Sequence, residues 1–222
     1  MKLVHKDLEK QIIFGQFQCC EWVIEAPEIF AKYVQELYMQ AAGSEGNFVL
    51  SENGRELEIG KCAEVIIDPF AININGKKVL NKLYAELTEL AHAEDMYMLT
   101  QEIKGKIQNY FLQLEHVSPY VLTMDVEIDI SALLKVIGVK SENYADNYWE
   151  NLHLYIKMLS RLLHKKIIVL VNIGSYIESG KVEQLIRLAV HEEINLLLIE
   201  NQERNFSKEI SRYIIDRDSC EI

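Results

Sequence analysis

Residues 19 to 34 read CCEWVIEAPEIFAKYV, and this stretch decides the fold class of the chain. Its first six residues predict a β-strand, and the residues from Pro27 onward predict a helix, because proline suits the first helical turn. A strand joined to a helix by a short turn is typical of α/β proteins. In nucleotide-binding proteins of that class the same junction carries the loop GxxxxGK[ST], whose backbone N–H groups surround a phosphate. Here the junction has no glycine and places Glu25 and Glu28 where a phosphate would bind, which predicts that this junction does not hold a phosphate.

The composition indicates a globular protein with free thiols. The chain has 222 residues, 49% of them hydrophobic, which is enough for a substantial core. Its four cysteines form neither a CxxC pair nor a spaced disulfide framework. No apolar run reaches the roughly 18 residues that a membrane span needs, and the charged first ten residues do not resemble a signal peptide. We therefore expect a soluble, cytoplasmic protein with no membrane segment.

Strands are predicted towards both ends of the chain. The Asn-Gly pair at residues 53 and 54 is a strong hairpin signal between FVLSE (48–52) and RELEI (55–59). IIVLVNI (167–173) and NLLLIE (195–200) are continuously apolar and enclose a helical pattern. Strands of that kind pair in parallel and are covered on both faces. The other predicted strands are residues 2–5, 11–14 and 63–68.

The middle of the chain is predicted to be helical. From Gly76 to residue 118 the apolar residues repeat at three and four positions, which predicts two long helices or one bent helix. A third helical segment spans residues 145–164, and its apolar face is wide enough to be buried on more than one side. We therefore predict an α/β head with a mostly parallel sheet and a helical insert. The predicted division is residues 1–70 and 165–222 for the head and residues 71–164 for the insert.

Three segments carry a resemblance to a known family. DPFAININGKKVLNKLY (68–84), ALLKVIGVKSE (132–142) and KKIIVLVNIGSYIESGKVEQLIRLAVHEEINLLLIEN (165–201) are similar to segments of the small accessory protein of type II-A CRISPR systems, which is used in spacer acquisition. The resemblance continues to the RYIIDRDS tail (212–219) and lies in the ordered pattern of the chain, since no single diagnostic motif carries it.

The resemblance implies a head like that of a P-loop ATPase, a helical leg, and assembly as a ring-shaped homotetramer around calcium ions. It also implies that the ends of double-stranded DNA bind through the central hole without being cut, so no enzymatic activity is expected. The expected partners are double-stranded DNA, further copies of the chain, and other CRISPR adaptation proteins, namely the integrase and the effector nuclease. Such a protein would have kept the nucleotide-type scaffold and lost its phosphate loop.

Asp125, Glu127 and Asp129 are the candidate metal ligands. In the segment MDVEID they alternate with apolar residues, so an extended backbone would project all three carboxylates from one face, about 7 Å apart. Hard oxygen donors in an irregular arrangement suit Ca²⁺ better than Mg²⁺. The alternative is a solvated polar face of a half-buried strand whose other side carries Val126 and Ile128. The calcium dependence implied by the resemblance supports the metal site, and both interpretations stay open.

Seven lysines of the predicted insert are the candidate DNA-binding residues. In NINGKKVLNK a helix start, with Asn75 as its cap, is followed by lysines, and this arrangement suits a phosphate. The alternative is that these are ordinary solvent-facing lysines, and the net charge of −11 taken alone argues against nucleic acid. The ring implied by the resemblance would multiply each lysine that faces its hole by the number of subunits. The seven are Lys77, Lys78, Lys82, Lys104, Lys106, Lys135 and Lys140.

A second basic region is predicted in residues 151–177, which contain no Asp or Glu. Arg161, Lys165 and Lys166 lie in it. Basic charge is therefore segregated along the chain even though the total charge is acidic.

No catalytic constellation is recognised. His191 is followed four positions on by Asn195, so the zinc motif HExxH is absent, and Cys19 and Cys20 are interpreted as core residues. Asp68 ends a predicted strand, where a nucleotide hydrolase would place a metal-binding acid, although a capping role at the strand end is the simpler interpretation. Two other functions stay open: a nucleotide hydrolase with an unconventional phosphate site, and a protein-binding scaffold that uses the acidic surface and the long amphipathic helices.

Overall fold

The computed structural model describes residues 1–15, 19–143, 147–204, 206 and 210–222. It divides into two compact units: a head unit of Met1–Ile74 and Asn143–Ile222, and a leg unit of Asn75–Glu142. The described strands are β1 (Lys2–His5), β2 (Ile12–Ile13), β3 (Cys19–Ile24), β4 (Phe48–Glu52), β5 (Arg55–Leu57), β6 (Ala63–Ile66), β7 (Ile167–Val171), β8 (Asn195–Glu200) and β9 (Ser211–Ile215). The described α-helices are α1 (Pro27–Ala41), α2 (Ile59–Cys62), α3 (Lys77–His92), α4 (Glu94–Val117), α5 (Ile130–Val136), α6 (Tyr148–Arg161) and α7 (Ser179–His191).

Five strands of the head unit form a parallel sheet in the order β6, β7, β8, β3, β9. All six residues of β3 are buried, because this strand lies between β8 and β9 and is covered on both faces. β7 and most of β8 are buried as well, as their continuous apolar runs predict. The predicted α/β class and the parallel sheet are therefore confirmed.

Hydrophobic clusters cover both faces of this sheet. On one face Trp22 of β3 shares a cluster with Tyr33 and Leu37 of α1. On the other face Leu152 of α6 and Leu185 of α7 share a second cluster with the side chains of β7 and β8 that point the opposite way. The alternation of side chains along each strand thus supplies apolar residues to both layers of helices.

The junction between β3 and α1 forms as predicted. α1 begins at Pro27 with Ala26 as its cap residue, and Ala26 offers no side-chain hydrogen bond. Glu28 supplies negative charge to the first turn, where it interacts favourably with the helix dipole. A carboxylate therefore lies in the first helical turn, where nucleotide-binding α/β proteins hold a phosphate.

A four-stranded antiparallel sheet completes the head unit, in the order β2, β1, β4, β5. The predicted hairpin is confirmed, since Asn53 and Gly54 connect β4 to β5 with φ values of 51° and 77°. Both residues tolerate the left-handed conformation that a two-residue hairpin turn requires. Leu3 and Leu50 join this sheet to the cluster around Trp22.

The leg unit contains the two long helices predicted from the apolar spacing. α3 and α4 are separate helices, because Ala93 between them is extended, with ψ of 158°. α4 ends before Ser118, and α3 packs against both α4 and α5. No described helix is long and apolar enough to cross a bilayer.

The third predicted helical segment belongs to the head unit, whereas the sequence placed it in the insert at residues 71–164. Its first part, residues 145 and 146, lies outside the described residues, and α6 runs from Tyr148 to Arg161. Leu152, Ile156 and Leu159 are almost fully buried in the cluster with β7 and β8. Packing against the sheet therefore assigns this helix to the head, and the helical insert is limited to Asn75–Glu142.

Candidate nucleic-acid interface

The start of α3 presents three of the seven candidate lysines. Lys77, Lys78 and Lys82 are all exposed. The cap residue Gly76 has no side chain to bond the first N–H groups of the helix, and the first turn contains no acidic residue. Lysines at a helix N-terminus are disfavoured by the helix dipole, and the first backbone N–H groups of a helix have no partner within it. An anion at this position would compensate both unfavourable features.

Asn75 does not cap α3, so that part of the prediction is wrong. Gly76 occupies the cap position, and the Asn75 amide instead bonds both backbone groups of Ser141. The Asn75 Nδ2 group donates to the Ser141 carbonyl over 3.0 Å, and the Ser141 N–H donates to Asn75 Oδ1 over 2.9 Å. The paired contact joins the first residue of the leg unit to a residue near its end. Lys140 directly precedes Ser141, so it lies beside the start of α3.

Tyr84 draws the segment after α5 towards the same helix. Its hydroxyl donates to the carbonyl of Val139 over 2.8 Å, and the Nζ of Lys135 lies 5.9 Å from the centre of its ring. Lys135 and Lys140 are exposed. The structure therefore brings five of the seven candidate lysines to one region of the leg unit: Lys77, Lys78, Lys82, Lys135 and Lys140.

Lys104 and Lys106 lie elsewhere, in the middle of α4. Lys106 forms an exposed ion pair with Glu102 at 2.6 Å. Lys104 is half-buried and lines a cleft of about 870 Å³, together with Glu127 and Asp129. Among the contacts of the described residues, none links these two lysines to the group at the start of α3.

The segment with the candidate metal ligands is not a strand, so the predicted extended geometry is wrong. Residues 121–129 have no strand partner, the chain bends at Val126 and Glu127, and Val126 is 79% exposed. Asp129 is the cap residue of α5, and its Oδ1 accepts the N–H of Ser131 over 2.8 Å. The segment has no neighbouring strand to pair with, so the alternating pattern does not produce a strand. Asp129 instead caps the short helix that follows.

The three carboxylates do not form a metal site within one chain. Asp125 is exposed, while Glu127 and Asp129 line the cleft beside Lys104. Throughout the part of the chain that the structure describes, no group of three or more His, Cys, Asp or Glu side chains is placed to hold a metal ion. The role of Asp125, Glu127 and Asp129 as calcium ligands stays a prediction.

The three cations named in the second predicted basic region all have partners within the chain. Arg161 pairs with Glu192 at 2.7 Å, and Lys166 pairs with Glu52 at 2.5 Å. Lys165 is buried and donates to the carbonyls of the chain around α2. Partners distant in the sequence therefore engage Arg161, Lys165 and Lys166, which the local absence of Asp and Glu did not reveal.

The carboxyl edge of the parallel sheet is occupied by internal ion pairs. Asp68 follows the edge strand β6, and its carboxylate accepts the N–H of Phe70 over 2.8 Å, so its capping role is confirmed.

Glu200 ends β8, next to β3, and is fully buried. One oxygen of Glu200 accepts the N–H of Gly174 over 2.9 Å, and the other accepts Nε of Arg204 over 3.0 Å. Sequence reasoning missed Glu200, although four apolar residues followed by an acid at the end of β8 were a usable signal.

Glu21, in the middle of β3, is the second buried acid on this side of the sheet. Its Oε2 accepts Nε of Arg212 over 2.6 Å, whereas Oε1 has no hydrogen-bond partner of normal geometry among the described residues. Burial raises the pKa of Glu21, and the adjacent guanidinium of Arg212 opposes that shift. Burial likewise raises the pKa of Glu200, opposed by the Gly174 N–H and by Arg204.

The adjacent cysteines are core residues, as predicted. Cys19 and Cys20 are both buried and not disulfide-bonded. Burial raises the pKa of Cys20 to about 12, so its thiol is protonated and a poor nucleophile at neutral pH.

Comparison with known proteins identifies similar chains. A family model described as CRISPR-associated protein (Cas_Csn2) matches residues 40–219, which is more than half of the chain. A CRISPR-associated protein Csn2 from Streptococcus agalactiae is 22% identical over 160 residues, covering 69% of this chain and 68% of the relative. A protein of the same name from Enterococcus faecalis is 22% identical over 144 residues, covering 62% of this chain and 63% of the relative.

Proposed function

The chain belongs to the Cas_Csn2 family of CRISPR-associated proteins, and from that membership we propose that it binds the ends of double-stranded DNA during spacer acquisition in a type II-A CRISPR system. It does so as a ring-shaped homotetramer that requires calcium and does not cut the DNA. The integrase and the effector nuclease of the same system are its proposed protein partners.

The observation that carries the proposal is the lysine group at the start of α3. Exposed lysines surround a helix start whose cap residue has no side chain. Lysines that contact DNA neutralise its phosphates, and the counterions held by those phosphates are released. This contribution to binding does not depend on the base sequence. The leg unit as a whole has seven lysines against ten acidic residues, so binding depends on the lysines converging while the carboxylates face elsewhere.

The surface of α4 supports assembly into an oligomer. Only Thr100 is buried among the 24 residues of this helix. Met98, Tyr110 and Val117 are 76%, 64% and 78% exposed, and further apolar side chains along the helix are also exposed. Several exposed apolar side chains on one helix favour an interaction surface in a folded protein. Further copies of the chain covering α4 would bury it.

The proposed calcium sites are completed by a second subunit. Ca²⁺ takes six to eight oxygen ligands. Within one chain Glu127 and Asp129 share a cleft, and Asp125 lies nearby in sequence, which leaves most of the ligand positions to backbone carbonyls, water or another copy. Calcium binding would then favour the assembled state.

The absence of nucleotide hydrolysis is supported by the carboxyl edge of the sheet. The turn before α1 has no glycine, and Glu28 lies in the first helical turn. The acid beside β3 that could hold a magnesium ion, Glu200, is buried and bound to Arg204. Both features disfavour a bound nucleoside triphosphate.

The test of the proposal is a gel-shift series with linear and covalently closed circular duplex of the same sequence, with calcium and with a chelator. We expect binding to the linear duplex in calcium only, because a closed ring threads onto a free end. Equal binding to closed circles would refute the threading model. Absence of any DNA binding at low salt with calcium present would favour a protein-binding scaffold, and ATP turnover in the same preparation would favour a hydrolase.

A further inference from the structure

Three aromatic side chains form an exposed cluster in the head unit, at the carboxyl edge of the parallel sheet. Phe70 follows β6, Tyr176 follows β7, and Tyr148 begins α6. The ring centre of Phe70 lies 4.9 Å from that of Tyr148 and 5.0 Å from that of Tyr176. Phe70 is 59% exposed and Tyr176 is 43% exposed. We call these three residues the aromatic cluster.

Hydrogen bonds order the Tyr148 side chain and the backbone at Phe70 and Tyr176 before any ligand arrives. The Tyr148 hydroxyl donates to the carbonyl of Tyr176 over 2.7 Å, and the backbone N–H of Phe70 donates to Asp68 over 2.8 Å. A preordered group loses little conformational entropy on binding. Rigid aromatic side chains of this kind are the usual energetic anchors of protein interfaces.

The charges around the aromatic cluster favour a cationic occupant. Asp68 and Glu178 are exposed, and neither forms an ion pair with any described residue. The sequence of the head unit carries sixteen basic and twenty-four acidic residues, a net charge of −8. One cation already lies beside a ring of the cluster, since Nζ of Lys181 is 5.9 Å from the ring centre of Tyr148. The same Nζ lies 5.1 Å from the ring centre of the neighbouring Trp149, which is outside the cluster.

We propose that the aromatic cluster docks an arginine-bearing segment of another protein, with a guanidinium group stacked on the rings of Phe70 and Tyr176 and paired with Asp68 or Glu178. Arginine suits this surface better than lysine, because its planar and weakly hydrated group stacks on aromatic faces. DNA is disfavoured at this surface, because its phosphates would meet the exposed carboxylates of Asp68 and Glu178. The inference rests on the proposed partnership with other DNA-handling proteins, whose surfaces are basic.

The probes for the test are two fluorescein-labelled peptides, GRGRGRG and GKGKGKG, and the readout is anisotropy with the full chain. We expect the arginine peptide to bind more tightly than the lysine peptide. The double variant Phe70→Ala/Tyr176→Ala should weaken arginine-peptide binding about tenfold and leave lysine-peptide binding unchanged. Tyr38→Ala removes a 46% exposed aromatic residue from the same unit and should change neither affinity. An unchanged melting temperature establishes that the double variant is folded.

Several outcomes would overturn the docking proposal. Equal affinity of the double variant and the wild type for the arginine peptide would mean that the acidic surface alone attracts it. Loss of duplex DNA binding without loss of peptide binding would assign the aromatic cluster to nucleic acid, and a changed oligomer mass would assign it to a second copy. A wild type that binds the arginine peptide through the cluster but binds no DNA would instead refute the proposed function and leave the docking site intact.

Discussion

Gly174 donates its backbone N–H to Oε1 of the buried Glu200 over 2.9 Å. Backbone N–H groups at the carboxyl edge of a parallel sheet are the donors that hold phosphates in nucleotide-binding α/β proteins. Here the acceptor is the protein's own carboxylate, and Arg204 neutralises it. Internal ion pairs thus occupy the edge at which nucleotide-binding α/β proteins hold a phosphate.

Replacing Gly174 by alanine should disrupt this arrangement. A Cβ atom there would lie 2.3 Å from Cδ of Arg204 and 2.5 Å from Cζ of Phe206, so these side chains would have to shift, and Arg204 is the one that bonds Glu200. We expect urea unfolding to show a loss of about 1–3 kcal/mol, as for other overpacked sites. Gly180→Ala is the matched control, because no atom lies within 4 Å of its added Cβ and the site is helical. An equal effect of both substitutions would contradict the close approach at Gly174.

Glu21→Gln should change how stability depends on pH. The folded pKa of Glu21 is raised above its ordinary value of 4.5, so the folded state binds more protons than the unfolded state above that pH. The contribution of the Glu21 carboxyl to the free energy of unfolding is therefore fully present below pH 4.5 and is lost as the pH rises through its folded pKa. Glutamine does not titrate, so the variant has no such dependence on pH. The free energy of unfolding of the variant, relative to wild type, should rise as the pH increases above 4.5, by about 1.4 kcal/mol for each unit of pKa difference.

The control for this measurement is Glu203→Gln. Glu203 contacts the same arginine, Arg212, at 3.2 Å, but its side chain is 54% exposed. Its substitution should shift the free energy of unfolding by less than about 0.5 kcal/mol at every pH, as is usual for a surface pair. A constant difference between Glu21→Gln and wild type across the pH range would show that the Glu21 carboxyl titrates normally.

Local patterns in the sequence were sufficient for most of the fold. β3 and α1 follow from a buried run and from Pro27 at the first helical position, and the hairpin follows from residues 53 and 54, because each depends on neighbours in the chain. α6 was misassigned because its wide apolar stripe suits a sheet layer as well as a helical bundle. Periodicity does not distinguish these two environments.

The polar sites were less predictable, since their partners are distant in the sequence. Arg212 reaches Glu21 because β9 pairs with β3 in the register that sets these two residues side by side. The alternating acids before α5 were read as a strand face, yet a strand needs a partner strand, and none pairs with that segment among the described residues. The lysines around the start of α3 could be named as candidates from the sequence. That Lys135 and Lys140 lie near them depends on the contacts of Asn75 and Tyr84 with the segment after α5.

The protein should not hydrolyse ATP or GTP. The turn before α1 has no glycine, and Glu25 and Glu28 flank the site where a phosphate would bind. A steady-state phosphate-release assay should give the same rate as buffer, with or without magnesium. Turnover that disappears when residues 26–32 are replaced would contradict this expectation and revive the hydrolase interpretation.

The calcium prediction is tested by the triple variant Asp125→Asn/Glu127→Gln/Asp129→Asn. Asparagine can still cap α5 through its side-chain oxygen, so the variant should keep the local fold while losing three negative charges. If these carboxylates hold calcium between subunits, light scattering should give the variant the reduced mass of chelated wild type, because the metal stabilises only the assembled state. The same mass for wild type in calcium, wild type in chelator and the variant would leave these residues as a solvated surface.

Lys77→Glu/Lys78→Glu should weaken binding to linear duplex DNA and reduce its dependence on salt. Each phosphate contact contributes about −0.9 to the slope of log affinity against log salt, so a tetramer with one or two contacting lysines per subunit should give a slope of roughly −4 to −7. The double variant removes contacts in every subunit at once and adds repulsion, so its slope should be flatter. Folding and oligomer mass should be unchanged, because both side chains are exposed at the start of α3.

The matched control carries the same change of charge in the head unit, as Lys10→Glu/Lys61→Glu, where both lysines are exposed. If overall charge alone governed DNA binding, the two double variants would lose affinity equally. A larger loss in Lys77→Glu/Lys78→Glu would instead locate phosphate contacts at the start of α3, where Gly76 leaves the first helical N–H groups without a side-chain cap. Wild-type affinity in that variant would show that this helix start does not face the DNA, and the lysines of α4, Lys104 and Lys106, would be the next to test.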